Sequence, residues 1–174
     1  MLMTVDEFKR FVTTDKEDSV LEAKLQALEL LVRAYTNNNF QARCMRIVCS
    51  IMTGKLFATS IYIKEGDTVQ ISESRFNDGI YTVKSIEDGF MELDKPLYDE
   101  PKITVTRVEY PMDVKMGVVE LMKYDFENEG KIGVASETIS RHSVTYFDMA
   151  GDNSAIGYPK ALVGFLKPYM KARF

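Results

Sequence analysis

The chain has 174 residues, of which 45% are hydrophobic and 28% charged, the size and composition of one compact globular domain or one domain carrying a smaller insert. No run approaches the ~18 apolar residues that span a bilayer, and the opening MLMTVDEFKR is helical in pattern with no apolar signal-peptide core. The net charge of −4 is uneven: six basic and eleven acidic residues between Thr59 and Tyr110 give that stretch −5, whereas Pro159 to Phe174 has Lys160, Lys167, Lys171 and Arg173 and no acid.

Taken in chain order, TVDEFKRFV places Glu7 three residues after Thr4, the capping-box spacing at a helix start. Phe8, Phe11 and Val12 then share one side of a short helix. Asp15 or Ser19, the latter with Glu22 three residues on, is the expected cap of the next helix. In that helix Leu21, Leu25, Leu28, Val32 and Tyr35 form one apolar stripe at spacings of four and three. Ala23, Ala27, Leu30 and Leu31 broaden it, so the helix is expected to meet more than one neighbour. The asparagines of TNNN close it, because asparagine tolerates the left-handed conformation.

From Phe40 to Tyr110 the period shortens. RCMRIVCSIMTGKLF, with its turn-like TGK, reads as a strand pair; its Cys44 and Cys49 fit no zinc spacing and read as two buried thiols of a reduced, cytoplasmic protein. GDTVQISES and KITVTRVEY alternate apolar and polar residues. Asp78-Gly79 and Asp88-Gly89 each precede a β-rich run, which predicts two tight hairpins. Five or six short strands joined by tight turns imply a small twisted sheet or barrel.

Helix returns at YPMDVKMGVVELMKYDFENEG, with Pro111 in the first turn and Gly130 closing it. Its middle is apolar on more than half of its circumference. Two explanations stand: a central core helix, or one face inside the subunit and another against a neighbouring subunit. SETISRHSVTYFD then reads as an extended strand. YPKALVGFLKPY is expected to be a short helix from Pro159 to Pro168, followed by the tail MKARF. The expected fold is therefore α+β, a small helical bundle formed by the N- and C-terminal helices (1–39 and 111–174) with an inserted small antiparallel β-sheet or barrel (40–110).

Little in the chain suggests chemistry. His142 is the only histidine, and a serine two residues along a strand stands roughly 7 Å away, too far for direct proton transfer. No GxSxG, GxGxxG or GxxxxGK[ST] pattern occurs, and the acidic clusters lack the ligand alternation of a calcium loop. No enzyme, metal or cofactor is expected. GDTVQI and GIYTVKSI resemble small barrels that bind nucleic acid, but a local charge of −5 argues against phosphate contacts there.

SETISRHSVTY followed by GYPKALVGFLKPYMKARF resembles the end of the head–tail connector proteins of long-tailed bacteriophages, also called adaptor or head-completion proteins. The two N-terminal helices fit the same pattern. The likeness covers roughly Thr4–Phe40 and Pro111–Phe174, and the chain is similar to the larger version from phages and prophages of Gram-positive bacteria, with an inserted β module. The resemblance implies a non-enzymatic part of the virion neck, made in the host cytoplasm. It implies a twelve-subunit ring of self-contacts beneath the portal protein, extending a channel through which DNA passes without sequence-specific binding. The ring would offer a surface to the next neck or tail-completion protein, with no membrane involved. In this frame Val118 and Met122 of the apolar helix, with Arg141, Ser143 and Tyr146 of an extended arm, are candidate subunit contacts. Tyr169, Lys171, Arg173 and Phe174 are candidate portal contacts. The alternative is a small-barrel nucleic-acid-binding or regulatory protein of a phage or bacterial operon.

Overall fold

The structure is a computed structural model that describes residues 1–58, 60–129, 136–139, 142–145 and 153–172. Its backbone divides into two compact units, one of Asn39–Tyr110 and one of Leu2–Asn38 with Pro111–Phe174.

The first unit is a closed barrel of six antiparallel strands. They are β1 (Gln41–Met52), β2 (Lys55–Phe57), β3 (Thr68–Ser72), β4 (Gly79–Glu87), β5 (Phe90–Leu93) and β6 (Glu100–Val108), in the order β1-β2-β5-β4-β3-β6. Strand alternation sends Ile51, Leu56, Val69, Ile71, Val83, Met91, Ile103 and Val105 into one buried cluster, closed by Ile63, Leu93 and Tyr81. Each such side chain taken from water contributes about 1.5–3 kcal/mol. Two hairpins turn on consecutive residues of positive φ, Thr53-Gly54 (53° and 75°) and Asp88-Gly89 (48° and 83°), the backbone that a two-residue turn between twisted strands requires. The first and last strands lie side by side: Gln41 is in register with Val108, the Glu109 N–H donates to the Phe40 carbonyl at 2.9 Å, and the Phe40 and Tyr110 rings stand 4.7 Å apart.

The second unit holds α1 (Val5–Lys9), α2 (Asp18–Thr36), α3 (Met112–Glu127) and α4 (Lys160–Val163), the last running into a 3-10 turn over Gly164–Tyr169. It also holds a hairpin of β7 (Ser136–Ile139) and β8 (His142–Thr145) and a two-stranded ladder of β9 (Ser154–Ala155) and β10 (Tyr158–Pro159). The Thr4 hydroxyl accepts from the Glu7 N–H at 3.1 Å and caps α1. Leu21, Leu25, Leu28 and Val32 of α2 and Val114, Val118, Val119, Leu121 and Met122 of α3 are buried. Phe8 meets Phe126 edge-on at 6.5 Å, and Lys115 pairs with Glu7 at 2.9 Å.

Several expectations are corrected. The molecule is not a bundle of N- and C-terminal helices with an insert: its closed barrel is a complete core of its own, and two of the four helices among the described residues, α1 and α4, are five and four residues long. The predicted C-terminal helix fails after one turn because Pro168 has no N–H to donate, and the chain tightens into the 3-10 turn. Neither Asp15 nor Ser19 caps α2; Glu17 does so without a side-chain bond. Asp78-Gly79 is not a hairpin turn, since Gly79 already begins β4 and the Asp78 carboxylate accepts from the Ser74 N–H within the preceding loop. The stretch read as one extended arm is a hairpin, with Ile139 in register with His142 and Ser136 with Thr145. Gly130, expected to end α3, lies outside the described residues; Asn128 is the cap.

Candidate functional site

The apolar surplus of α3 is absorbed inside its own unit. Val118 and Met122 are fully buried, and Phe165 lays its ring on the helix backbone at Gly117, where an added Cβ would stand 2.4 Å from ring atoms. Phe126 is flanked by Phe8 and by the ammonium groups of Lys16 and Lys24. As placed, the two residues singled out on α3 lie in the core of the single chain. Ser143 stands in β8 opposite Thr138, while Arg141 and Tyr146 lie outside the described residues.

The C-terminal segment is strapped down through Ala172. The Tyr169 hydroxyl donates to the Asp113 carboxylate at 2.7 Å, which pushes the phenol above its ordinary pKa. The Lys171 N–H donates to the Thr36 carbonyl at 2.8 Å. The amides of Asn38 and Asn37 donate to the carbonyls of Tyr169 and Ala172. The Lys171 bond satisfies the Thr36 carbonyl, which the left-handed end of α2 at Asn37 (φ 49°) would otherwise leave bare, and the two asparagine amides satisfy carbonyls of the C-terminal segment. Of the four candidate portal contacts, Tyr169 and Lys171 are thus engaged in this strap, with the Lys171 side chain exposed; Arg173 and Phe174 lie outside the described residues.

Apolar side chains are exposed elsewhere. At about 100° per residue, Val20, Ala23, Ala27, Leu30, Leu31 and Ala34 fall within one third of the circumference of α2, nearly opposite the buried stripe, with no polar residue among them. Leu30 is 64% exposed and Val20 40%. Ala23, Ala27, Leu30 and Leu31, expected to broaden the buried stripe, lie instead on this other side, with Leu31 half-buried.

The barrel has a second apolar projection. Phe76 and Tyr98, each about 70% exposed, meet edge-on at 6.1 Å. Their loops are pinned by buried Asn77, whose amide donates to the Tyr98 carbonyl (3.0 Å) and accepts from the Tyr98 N–H (2.8 Å). Glu100 accepts from the Ser74 hydroxyl, the Arg75 N–H and the Asn77 amide, which holds its carboxyl below the usual range. No short-range sequence pattern marks this network, because its partners are 21 to 26 residues apart.

Both cysteines are free, and Cys44 is exposed rather than buried; burial pushes the Cys49 thiol up to about 11, away from thiolate reactivity. Among the described residues no group of His, Cys, Asp and Glu is arranged to hold a metal ion, and no helix is long and apolar enough to cross a membrane. Neither a protein-family model nor a curated protein matches the sequence.

Proposed function

We propose that the chain is a structural, non-enzymatic protein of a long-tailed bacteriophage virion: a head–tail connector that forms a ring below the portal, extends the DNA channel and joins the head to the next neck component. The observation that carries the reading is the ordered set SETISRHSVTY, GYP and LKPY, which resembles the end of such connectors, together with the two N-terminal helices. Supporting it, the set falls on a hairpin and on a strap bonded to the end of α2 within one unit, and that unit leaves Val20 and Leu30 of α2 exposed. A ring grows by a head-to-tail contact that closes on itself, and such a contact needs apolar surface beyond what the subunit buries for itself. The exposed side chain of Lys171 and the basic tail suit an acidic portal surface.

The test is assembly with the portal protein encoded in the same phage genome. Purified chain and portal, mixed at tens of micromolar and imaged by electron microscopy, should give a second ring stacked coaxially on the portal. Salt-sensitive binding to DNA with no portal complex would favour the regulatory alternative and overturn the reading.

A further inference from the structure

We infer that the edge of β1 at Arg46 and Val48 is a docking site for an extended peptide of another protein, one that carries an apolar residue two positions before an acidic one. The edge is free because β2 is short. Thr53 and Gly54, both of positive φ, make a two-residue turn, so Met52 and Lys55 exchange backbone bonds and the alternation repeats at Ser50 and Phe57. β2 ends there, and the Ala58 N–H turns away to the Gly89 carbonyl at 3.0 Å. By the same alternation Ile47 and Cys49 direct their backbone groups to Val105 and Ile103 of β6. The N–H and C=O of Arg46 and Val48 therefore point to the side that β2 has left. Among the described residues nothing bonds these four groups.

Donors and acceptors in a row along a strand edge are matched by another strand. An antiparallel strand with two residues opposite Arg46 and Val48 would make four main-chain bonds to them. It must be short, because β2 takes the edge from Ser50 onward and the bulge over residues 42–45 interrupts it before Arg46. Side chains then choose its sequence. Directly opposite residues project to the same face of a sheet, and Arg46 and Val48 both stand on the outer face, Val48 61% exposed. No carboxylate among the described residues pairs with Arg46. From Phe40 to Ile63 the chain has Arg43, Arg46 and Lys55 and no acid, and Lys55 is already paired with Glu92. An acid opposite Arg46 and an apolar side chain opposite Val48 complete the ladder. An antiparallel strand passes Val48 first, which sets the apolar residue two positions before the acid. A second copy of β1 is a poor occupant, because it has no acid to place beside Arg46. The inference does not depend on the connector reading.

The probe is a blocked seven-residue threonine peptide with valine at its third position and glutamate at its fifth, added to the isotope-labelled full chain. Before peptide is added, the Arg46 and Val48 amides should exchange with solvent at least about 100-fold faster than those of Ile47 and Cys49. The peptide should shift the Arg46 and Val48 amide resonances with a Kd of about 1 mM, the range open to so short a ligand. A peptide with lysine in place of the glutamate should bind at least about 10-fold more weakly. Arg46→Glu should reverse that preference with circular dichroism unchanged, since Arg46 is exposed. Val48→Pro removes an N–H on the free side only and should weaken both peptides alike. Arg46 and Val48 amides as protected as their neighbours, no shift up to about 10 mM peptide, or equal binding of the two peptides would each overturn the inference. So would self-association of the chain that Arg46→Glu removes, since a second copy would then hold the edge.

Discussion

The Thr106 hydroxyl is fully buried on the outer side of β6 and has no hydrogen-bond partner. A donor left bare costs about 1–3 kcal/mol, so Thr106→Val, which keeps the shape and removes the hydroxyl, should raise barrel stability by about 1 kcal/mol in urea unfolding. Asn77 is the opposite case. It is 1% exposed and bonds Tyr98 twice and Glu100 once, so Asn77→Ala should cost about 2–3 kcal/mol. Glu100 gives the same loops a pH dependence. Its folded carboxyl is held below its unfolded pKa by the Ser74 hydroxyl first and then the Arg75 N–H, so its stabilisation is present above the unfolded value. That stabilisation is lost as pH falls through the lowered folded value; Glu100→Gln should flatten this part of the acid-unfolding curve. In the other unit Gly117 has no room for a Cβ beneath Phe165, and Gly117→Ala should cost about 1–3 kcal/mol by displacing the ring. The Thr4 cap was legible because its partner is three residues away. The Asn77–Glu100 network was not, because strand closure brings its members together from separate parts of the chain.

Among the elements, α2 was the most legible. Periodicity found the buried stripe Leu21, Leu25, Leu28 and Val32 but merged Ala23, Ala27, Leu30 and Leu31 into it, because spacing alone does not mark where a stripe ends. For α3 the same signal was ambiguous, since an all-round apolar helix can be central or shared; within the chain its Gly117 and Phe126 pack against Phe165 and Phe8. Turn chemistry succeeded at Asp88-Gly89 and failed at Asp78-Gly79, because the Asp78 carboxylate is used to cap a loop rather than to make a two-residue turn. The C-terminal strap changes the expected effect of truncation. Ending the chain at Pro168 removes the Tyr169–Asp113 bond and the bonds from the end of α2 to Tyr169, Lys171 and Ala172. Such a variant should melt several degrees lower, and Tyr169→Phe alone should reproduce about 1 kcal/mol of the loss.

At the scale of the whole molecule, the barrel begins and ends on neighbouring strands, with Phe40 and Tyr110 in ring contact at its base. A unit whose ends are adjacent closes its own core, and residues 39–110 expressed alone should fold cooperatively as a β protein. The β-rich stretch and its limits were readable from the shift in period, but closure was not, since the β1–β6 pairing that seals the barrel joins residues up to 67 apart in sequence. That hidden closure is why a helical bundle carrying an inserted sheet or barrel was expected, whereas a closed barrel with a core of its own and a separate unit of mostly short helices are found. The proposal that this molecule is a head–tail connector is tested most directly by cryo-electron microscopy of the chain mixed with the portal of its own phage. A coaxial ring with the second unit against the portal is the predicted result. Portal particles unchanged at saturating chain would contradict it.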